Sequence, residues 1–293
     1  MEIDISLNTI NSVMDISNNI SCLCFSGGGA TGLSFVSSLK MLINNNIIVL
    51  ENINLFVGTS AGAILAFLLN IGVTINELEE FIYAFKFENL IGEIDCITLL
   101  EDFGINDGTR IVIKIYVEFL KRKYKKSDIT FSELYNITNK KLIIIGTNLT
   151  KYTEAVFSVD NTPDFSVIQA LRISTSIPVI FTPVIIDNIV YVDGAIINNF
   201  PLNHCPKDNT FGFYIVYNPI KINAFYDLVM SCLSTTINAI TTMYLYNNNS
   251  LNKNIIKINN PTNEITSFNI SREMIDNIFQ LGIDATKLYL ENN

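Results

Sequence analysis

The sequence has no tryptophan and a single histidine, His204, in 293 residues. Imidazole chemistry would rest on that one side chain, and a metal site built from several histidines is excluded. Charge is scarce too: 16% of residues are charged, and 28 acids against 19 bases leave a formal net charge of −9. The chain therefore lacks the basic footprint that phosphate backbones require, which excludes nucleic acid as the main partner. Its five cysteines, Cys22, Cys24, Cys96, Cys205 and Cys232, show neither an even framework nor metal-ligand spacing, so a reducing compartment is the simpler expectation. The segment Met1 to Ser6 lacks the positive and apolar regions of a signal peptide. Wholly apolar runs such as Ala61 to Leu69 fall short of the roughly 20 residues that span a bilayer. The expected location is cytoplasmic, and any membrane contact is peripheral.

Apolar residues, by contrast, make up 49% of the chain, and its mean hydropathy is +0.34. Such a chain can bury a core and still show water an apolar face. No internal repeat, proline-rich linker or long like-charge block divides it. The expected organisation is an N-terminal extension over residues 1–17 and a single domain over 18–290. One basic run, Lys121 to Lys126, follows the helix-like stretch Ile111 to Leu120. It reads as a solvated helix end, with contact to anionic lipid headgroups as the alternative.

Hydrophobic periodicity then orders the chain. Ile20 to Phe25 reads as a buried strand that stops at three glycines, and Leu33 to Ile43 as a helix. Ile53 to Val57 reads as a second strand, Gly58 to Gly62 as a sharp turn, and Ala61 to Asn70 as a helix apolar nearly all round and hence central. The stretch 76–126 looks helical, with loops near Gly92 and Gly104. Lys141 to Thr147 is a strand, and Val184 to Val192 a hairpin around Asp187-Asn188 that delivers Asp193 at its end. Phe211 to Tyr217 and Asn254 to Ile258 read as strands, and Ala224 to Tyr246 and Ser271 to Leu290 as helices. Strands alternating with helices imply an α/β fold with a mainly parallel sheet covered on both faces. Phe81 to Leu90 and Ala224 to Tyr246 are expected to pack into the core, the alternatives being a cover over the site or a membrane contact.

Three spaced motifs carry chemistry. In Gly58-Thr59-Ser60-Ala61-Gly62 the small residues let strand and helix pass closely and hold Ser60 on a strained turn, as a nucleophile elbow does. In Gly27-Gly28-Gly29-Ala30-Thr31-Gly32, successive backbone N–H groups before a helix form a nest for an anion, here the oxyanion of an acyl-transfer intermediate. The same six residues satisfy Gly-x-Gly-x-x-Gly and precede Glu51 at the spacing of a ribose-binding acid, so a dinucleotide site is the rival reading. That rival leaves the elbow and Asp193-Gly194-Ala195 unexplained. As base, Asp193 ends a strand, and partial burial would lift its pKa toward the working pH. His204 offers the alternative of a Ser-Asp-His triad.

Together these residues resemble the patatin-like phospholipase family. Phe25 to Gly32 is similar to its oxyanion loop, Gly58 to Gly62 to its nucleophile elbow, and Val192 to Ala195 with Asn198-Asn199-Phe200-Pro201 to its base segment. Leu171 to Pro178 resembles the segment before that hairpin. The likeness covers roughly residues 18–290 and is weakest over 76–140. It implies a three-layer α/β/α fold, a Ser60–Asp193 dyad without histidine, an oxyanion hole from Gly27, Gly28 and Gly29, and no metal or cofactor in the chemistry. It further implies hydrolysis of acyl esters in membrane phospholipids or neutral lipids, with the need for a protein activator left open. Many members carry arginine in the glycine loop where this chain has Thr31, a departure that touches headgroup or oxyanion contacts and leaves the backbone donors in place. A catalytically silent lipid-binding or regulatory protein on the same fold is the alternative from another class.

Overall fold

A computed structural model of the chain describes residues 20–85, 104–106, 109–219, 221–223, 225–247, 254–260 and 270–292. The extension 1–17, Cys96, the loop near Gly92 and the second half of Phe81 to Leu90 lie outside the described residues. Strand β1 (Cys22–Phe25) runs into the glycine loop and a 3₁₀ turn (Gly29–Leu33), and helix α1 (Ser34–Asn44) follows. The next unit is β2 (Leu55–Thr59) and α2 (Ala61–Asn70). Strand β2 runs two residues further than the sequence implied, because Gly58 and Thr59 pair with Ile144 and Ile145 and so belong to the ladder. Helices α3 (Ile75–Ala84), α4 (Thr109–Tyr124) and α5 (Phe131–Thr138) come next, with a short strand β3 (Gly104–Asn106) before α4. Thr74 and Thr130 open α3 and α5 with capping boxes closed by Glu77 and Glu133, which satisfy N–H groups that the first helical turn leaves unpaired.

Strand β4 (Lys141–Asn148) is followed by β5 (Thr153–Ser158), α6 (Val167–Ser174), β6 (Val179–Phe181) and the hairpin β7 (Val184–Ile186) and β8 (Ile189–Asp193). The hairpin turns on Asp187 and Asn188, both at positive φ (51° and 62°). That backbone is the one a two-residue turn needs to match strand twist, and Asp and Asn tolerate it well. The chain closes with a four-residue helix α7 (Ala195–Asn198), β9 (Thr210–Tyr217), α8 (Phe225–Asn247), β10 (Ile255–Asn260) and α9 (Arg272–Asn292).

Eight strands form one sheet in the order β10-β9-β1-β2-β4-β8-β7, with β5 on the other side of β4. The strands from β10 to β4 are mutually parallel, while β5, β7 and β8 run antiparallel to their neighbours. Alternation along the strands divides the core in two. Leu23, Phe25, Phe56, Phe211 and Phe213 face a large apolar cluster shared with α1, α2 and α9. Cys22, Cys24, Val57 and Tyr214 face a smaller cluster closed by Phe200, Leu202 and Leu245. Cys22 and Cys24 are thus packed strand residues, as expected, with burial pushing both thiols up and away from reactivity. The fold is a three-layer α/β arrangement whose second face is thinly covered, by α8 and residues 200–205.

Helix α2 lies at the centre, with most of its residues buried. A Cβ at Gly62 would come within 2.5 Å of the carbonyl oxygens of Phe25 and Ser26. No side chain fits where α2 crosses the end of β1. We expect Gly62→Ala to cost about 3 kcal/mol or more, read as a lower urea midpoint at an unchanged slope.

Candidate active site

Ser60 sits between the last residue of β2 and the first of α2, at φ 54° and ψ −124°. A non-glycine residue held there stores backbone strain. Its surroundings enforce it: a side chain on Gly58 would collide with the Gly62 carbonyl, and Gly62 is pressed against the end of β1. The strand cannot continue straight and the helix cannot start later, so the serine projects from the sheet edge. This is the sharp strand-to-helix turn that the pentapeptide predicted.

Asp193 arrives from the opposite direction, at the end of β8. Ile145 of β4 pairs with Thr59, and the next residue, Gly146, pairs with Asp193. Consecutive positions on one strand thereby place Ser60 Oγ 2.7 Å from Asp193 Oδ2, the hydroxyl donating to the carboxylate. The other carboxylate oxygen accepts the Ala195 N–H at 2.8 Å. Asp193 is 2% exposed. Burial raises its pKa from 3.8 to about 7, against the opposing pull of the bonds from Ala195 and Ser60. Gly194 is required beside it, since a Cβ there would strike the Ile145 carbonyl.

Both residues are braced by the segment Leu171 to Pro178. The Ser174 hydroxyl accepts the Ser60 N–H at 2.9 Å, and the Ser176 carbonyl accepts the Asp193 N–H at 2.9 Å. Arg172 bonds Ser176 Oγ and reaches the Thr182 carbonyl at 2.9 Å, fixing the turn between them. Thr147 Oγ donates to the Asp193 carbonyl at 2.8 Å. The supporting roles of Ser174, Ser176 and Thr147 were not legible in the sequence; the only signal was the resemblance of Leu171 to Pro178 to a family segment.

The glycine loop lies across from Ser60, and a Cβ on Gly27 would stand 3.3 Å from Ser60 Cβ. The expectation of three loop amides is corrected here, because the Gly27 N–H already donates to the Asn199 carbonyl at 3.0 Å. Among the described residues no hydrogen bond is found for the N–H groups of Gly28 and Gly29, which remain open to an anion. Thr31, at the place where arginine is common, is buried. Glu51 lies in a 3₁₀ turn before β2, at the end of the sheet away from the glycine loop. An acid that holds a ribose follows its strand rather than preceding it, so the dinucleotide reading fails on topology.

His204 bonds neither Ser60 nor Asp193 among the described residues. Its Nε2 lies 3.1 Å from both carboxylate oxygens of Glu154 and 3.0 Å from Asn203 Nδ2. Burial pushes the Glu154 carboxyl up, but hydrogen bonds from His204 and Asn198 outweigh it and leave the group below its usual range. The triad alternative is thereby excluded by placement.

The cleft over Ser60 is lined by the glycine loop, Ile177, Pro178, Ile196, Tyr217 and, from α8, Met230, Leu233, Ser234 and Ile237. It encloses about 40 Å³, room for a few waters. Tyr217 is a contribution that motif reading missed, and α8 takes the place the sequence offered it as an alternative, a cover over the site. Burial and the nearby Asp193 carboxyl push the Tyr217 phenol up, so it stays protonated.

The site thus joins, on an α/β fold, a strained serine turn, a buried carboxylate bonded to that serine, and loop amides open to an anion. The chain belongs to the patatin-like phospholipase family, whose model matches residues 23–205. The probable lipid hydrolase 463L of Invertebrate iridescent virus 6 is 34% identical over 185 residues, which cover 62% of this chain and 61% of that protein. The uncharacterized protein R571 of Acanthamoeba polyphaga mimivirus is 30% identical over 285 residues, 92% of this chain and 93% of that one. Among solved structures, VipD from Legionella pneumophila superposes with a TM-score of 0.63 at 18% identity, covering 94% of this chain and 67% of its own. The type III effector ExoU gives 0.51 at 12% identity, covering 94% and 53%. These likenesses show the patatin fold.

Two outcomes follow for the site's construction. Ser174→Ala leaves the buried Ser60 N–H without a partner and should cost about 1–3 kcal/mol, measured by urea unfolding. Asp193 binds its proton more tightly folded than unfolded, so its contribution to stability is full below about pH 4 and is lost as pH rises through about 7. Asp193→Asn keeps the geometry without the charge, and should exceed the wild type in stability at pH 8 by up to about 4 kcal/mol. The difference should vanish near pH 4 in parallel melts.

Proposed function

We propose that the protein is a serine-dependent lipid acyl hydrolase of the phospholipase A or lipase kind, working by a Ser60–Asp193 dyad through an acyl-serine. The observation that carries this reading is the 2.7 Å hydrogen bond from the Ser60 hydroxyl to a buried carboxylate, with no imidazole between them. Asp193 accepts the hydroxyl proton as Ser60 Oγ bonds the ester carbonyl carbon. The carbonyl oxygen takes up negative charge and is held by the Gly28 and Gly29 N–H groups, placed as an oxyanion hole. Collapse breaks the ester bond, and the departing alcohol takes the proton from Asp193. Water then attacks the acyl-serine as Asp193 accepts its proton, and the fatty acid leaves as that proton returns to Ser60 Oγ.

A carboxyl with a pKa of about 7 suits this work, since a general base is most effective when poised near the operating pH. The substrate is a membrane phospholipid or neutral lipid, a reading that the family and the probable lipid hydrolase relative support.

Ser60→Ala and Asp193→Asn should each lower ester hydrolysis by about 10³-fold or more, while His204→Ala keeps it within a few fold. Released fatty acid and lysolipid, identified by mass spectrometry from mixed vesicles, provide the readout. Activity retained in Asp193→Asn and lost in His204→Ala would overturn the dyad. Absence of stoichiometric Ser60 labelling by a fluorophosphonate would favour a silent lipid-binding protein instead. The kcat/KM profile should rise with pH through about 7 to a plateau, as the base must be ionised before it accepts a proton.

A further inference from the structure

Helix α8 does not pack into the core as its apolar sequence implied. Asp227–Asn247 is the one helix among the described residues long and apolar enough to cross a membrane by length and composition, yet only 17% of its most apolar window is buried. The face toward the sheet carries Met230, Ile237, Thr241 and Leu245, all buried. The opposite face carries Leu228, Cys232, Thr235, Ala239, Met243 and Tyr246, spaced three or four residues apart and all exposed. Met243 is 66% exposed and Tyr246 77%. Ile222, just before the helix, is also open to solvent. Water is a poor solvent for so continuous a stripe.

We propose that this outer face of α8 is the surface by which the protein lies on an uncharged or zwitterionic lipid interface; the biological role given to it rests on the lipid hydrolase reading. Charge selects this occupant. From Phe225 to Asn247 the one Asp, Glu, Lys, Arg or His is Asp227, and the whole chain carries −9, so attraction to anionic headgroups contributes nothing here and apolar burial must supply the binding. Position selects it as well. Met230, Leu233, Ser234 and Ile237 on the other side of the same helix line the cleft over Ser60, so a lipid surface on the outer stripe stands one helix diameter, about 10 Å, from the nucleophile. Side-chain bonds hold the helix to the sheet, Asn238 Nδ2 donating to the Tyr217 carbonyl at 3.1 Å. The helix therefore rests on a bilayer rather than spanning it.

The other membrane candidate, the basic run at the end of α4, has three of its five cations paired within the protein. Lys123 bonds the Gly72 carbonyl at 3.0 Å and Glu77 at 3.2 Å, Arg122 pairs with Glu118, and Lys126 pairs with Glu133. Gly72 follows the far end of α2, which starts just after Ser60 and is about 15 Å long. The basic run thus sits at the end of the domain away from the cleft.

The test is co-sedimentation of the Ser60→Ala protein with phosphatidylcholine vesicles, which reads binding without turnover. Met243→Asp and Tyr246→Asp should each weaken partitioning about tenfold and together about a hundredfold, insensitive to salt. In the wild-type background the same substitutions should leave hydrolysis of a soluble short-chain ester unchanged. Vesicle binding that survives both substitutions overturns the proposal. So does binding confined to anionic vesicles and lost with salt or with Lys121→Ala and Lys125→Ala. Light scattering that shows a dimer dissociated by Met243→Asp would assign the face to a second copy of the chain and also overturn it. Vesicle binding as expected without ester hydrolysis would leave the docking face standing and refute the lipid hydrolase reading alone.

Discussion

Two adjacent residues of β4 decide where everything else at the site must be. Ile145 receives Thr59 from β2 and Gly146 receives Asp193 from β8. The parallel strand ends where the antiparallel one arrives, on the same side of β4, while β5 occupies the other side. Residues 133 positions apart in the chain are thus brought to hydrogen-bonding distance by backbone pairing alone. Ladder register is set in steps of one residue, and a slip on either strand would turn the side chain to the other face. The requirement for Gly58, Gly62 and Gly194 follows, because three chain segments converge with no space for a Cβ.

The same convergence buries a carboxylate. Burial of Asp193 away from water raises its pKa to about 7, and the structure offsets that cost only in part. One oxygen has the Ala195 N–H and the other the Ser60 hydroxyl. The backbone on either side is held by Ser176 and Thr147, and that of Ser60 by Ser174. A site relaxed enough to solvate the acid would hold a weaker base. Tension between stability and basicity is built into the position rather than added to it.

The two faces of the sheet are covered unequally. One is buried under α1, α2 and α9 in a continuous aromatic and aliphatic core, whereas the other relies on α8 and a short segment around Phe200. Apolar composition in α8 is therefore divided between a cleft wall and an open stripe. The contrast with α2, apolar nearly all round and buried at most of its positions, shows that hydropathy marks both kinds of helix and separates neither.

The local pieces were legible in the amino-acid sequence because they depend on local rules. Glycine spacing marked the elbow and the anion loop, the Asp187-Asn188 turn marked the hairpin, and periodicity located most strands and helices to within two residues. The single histidine already left little room for a triad. Tertiary structure decided what depends on contacts between distant segments. It put Ser60 against Asp193 through β4, gave His204 to Glu154, spent the Gly27 amide on Asn199, and recruited Ser174 as a brace. It also turned α8 from an expected core helix into a half-exposed cover, since periodicity describes a helix face but not what another part of the chain places against it.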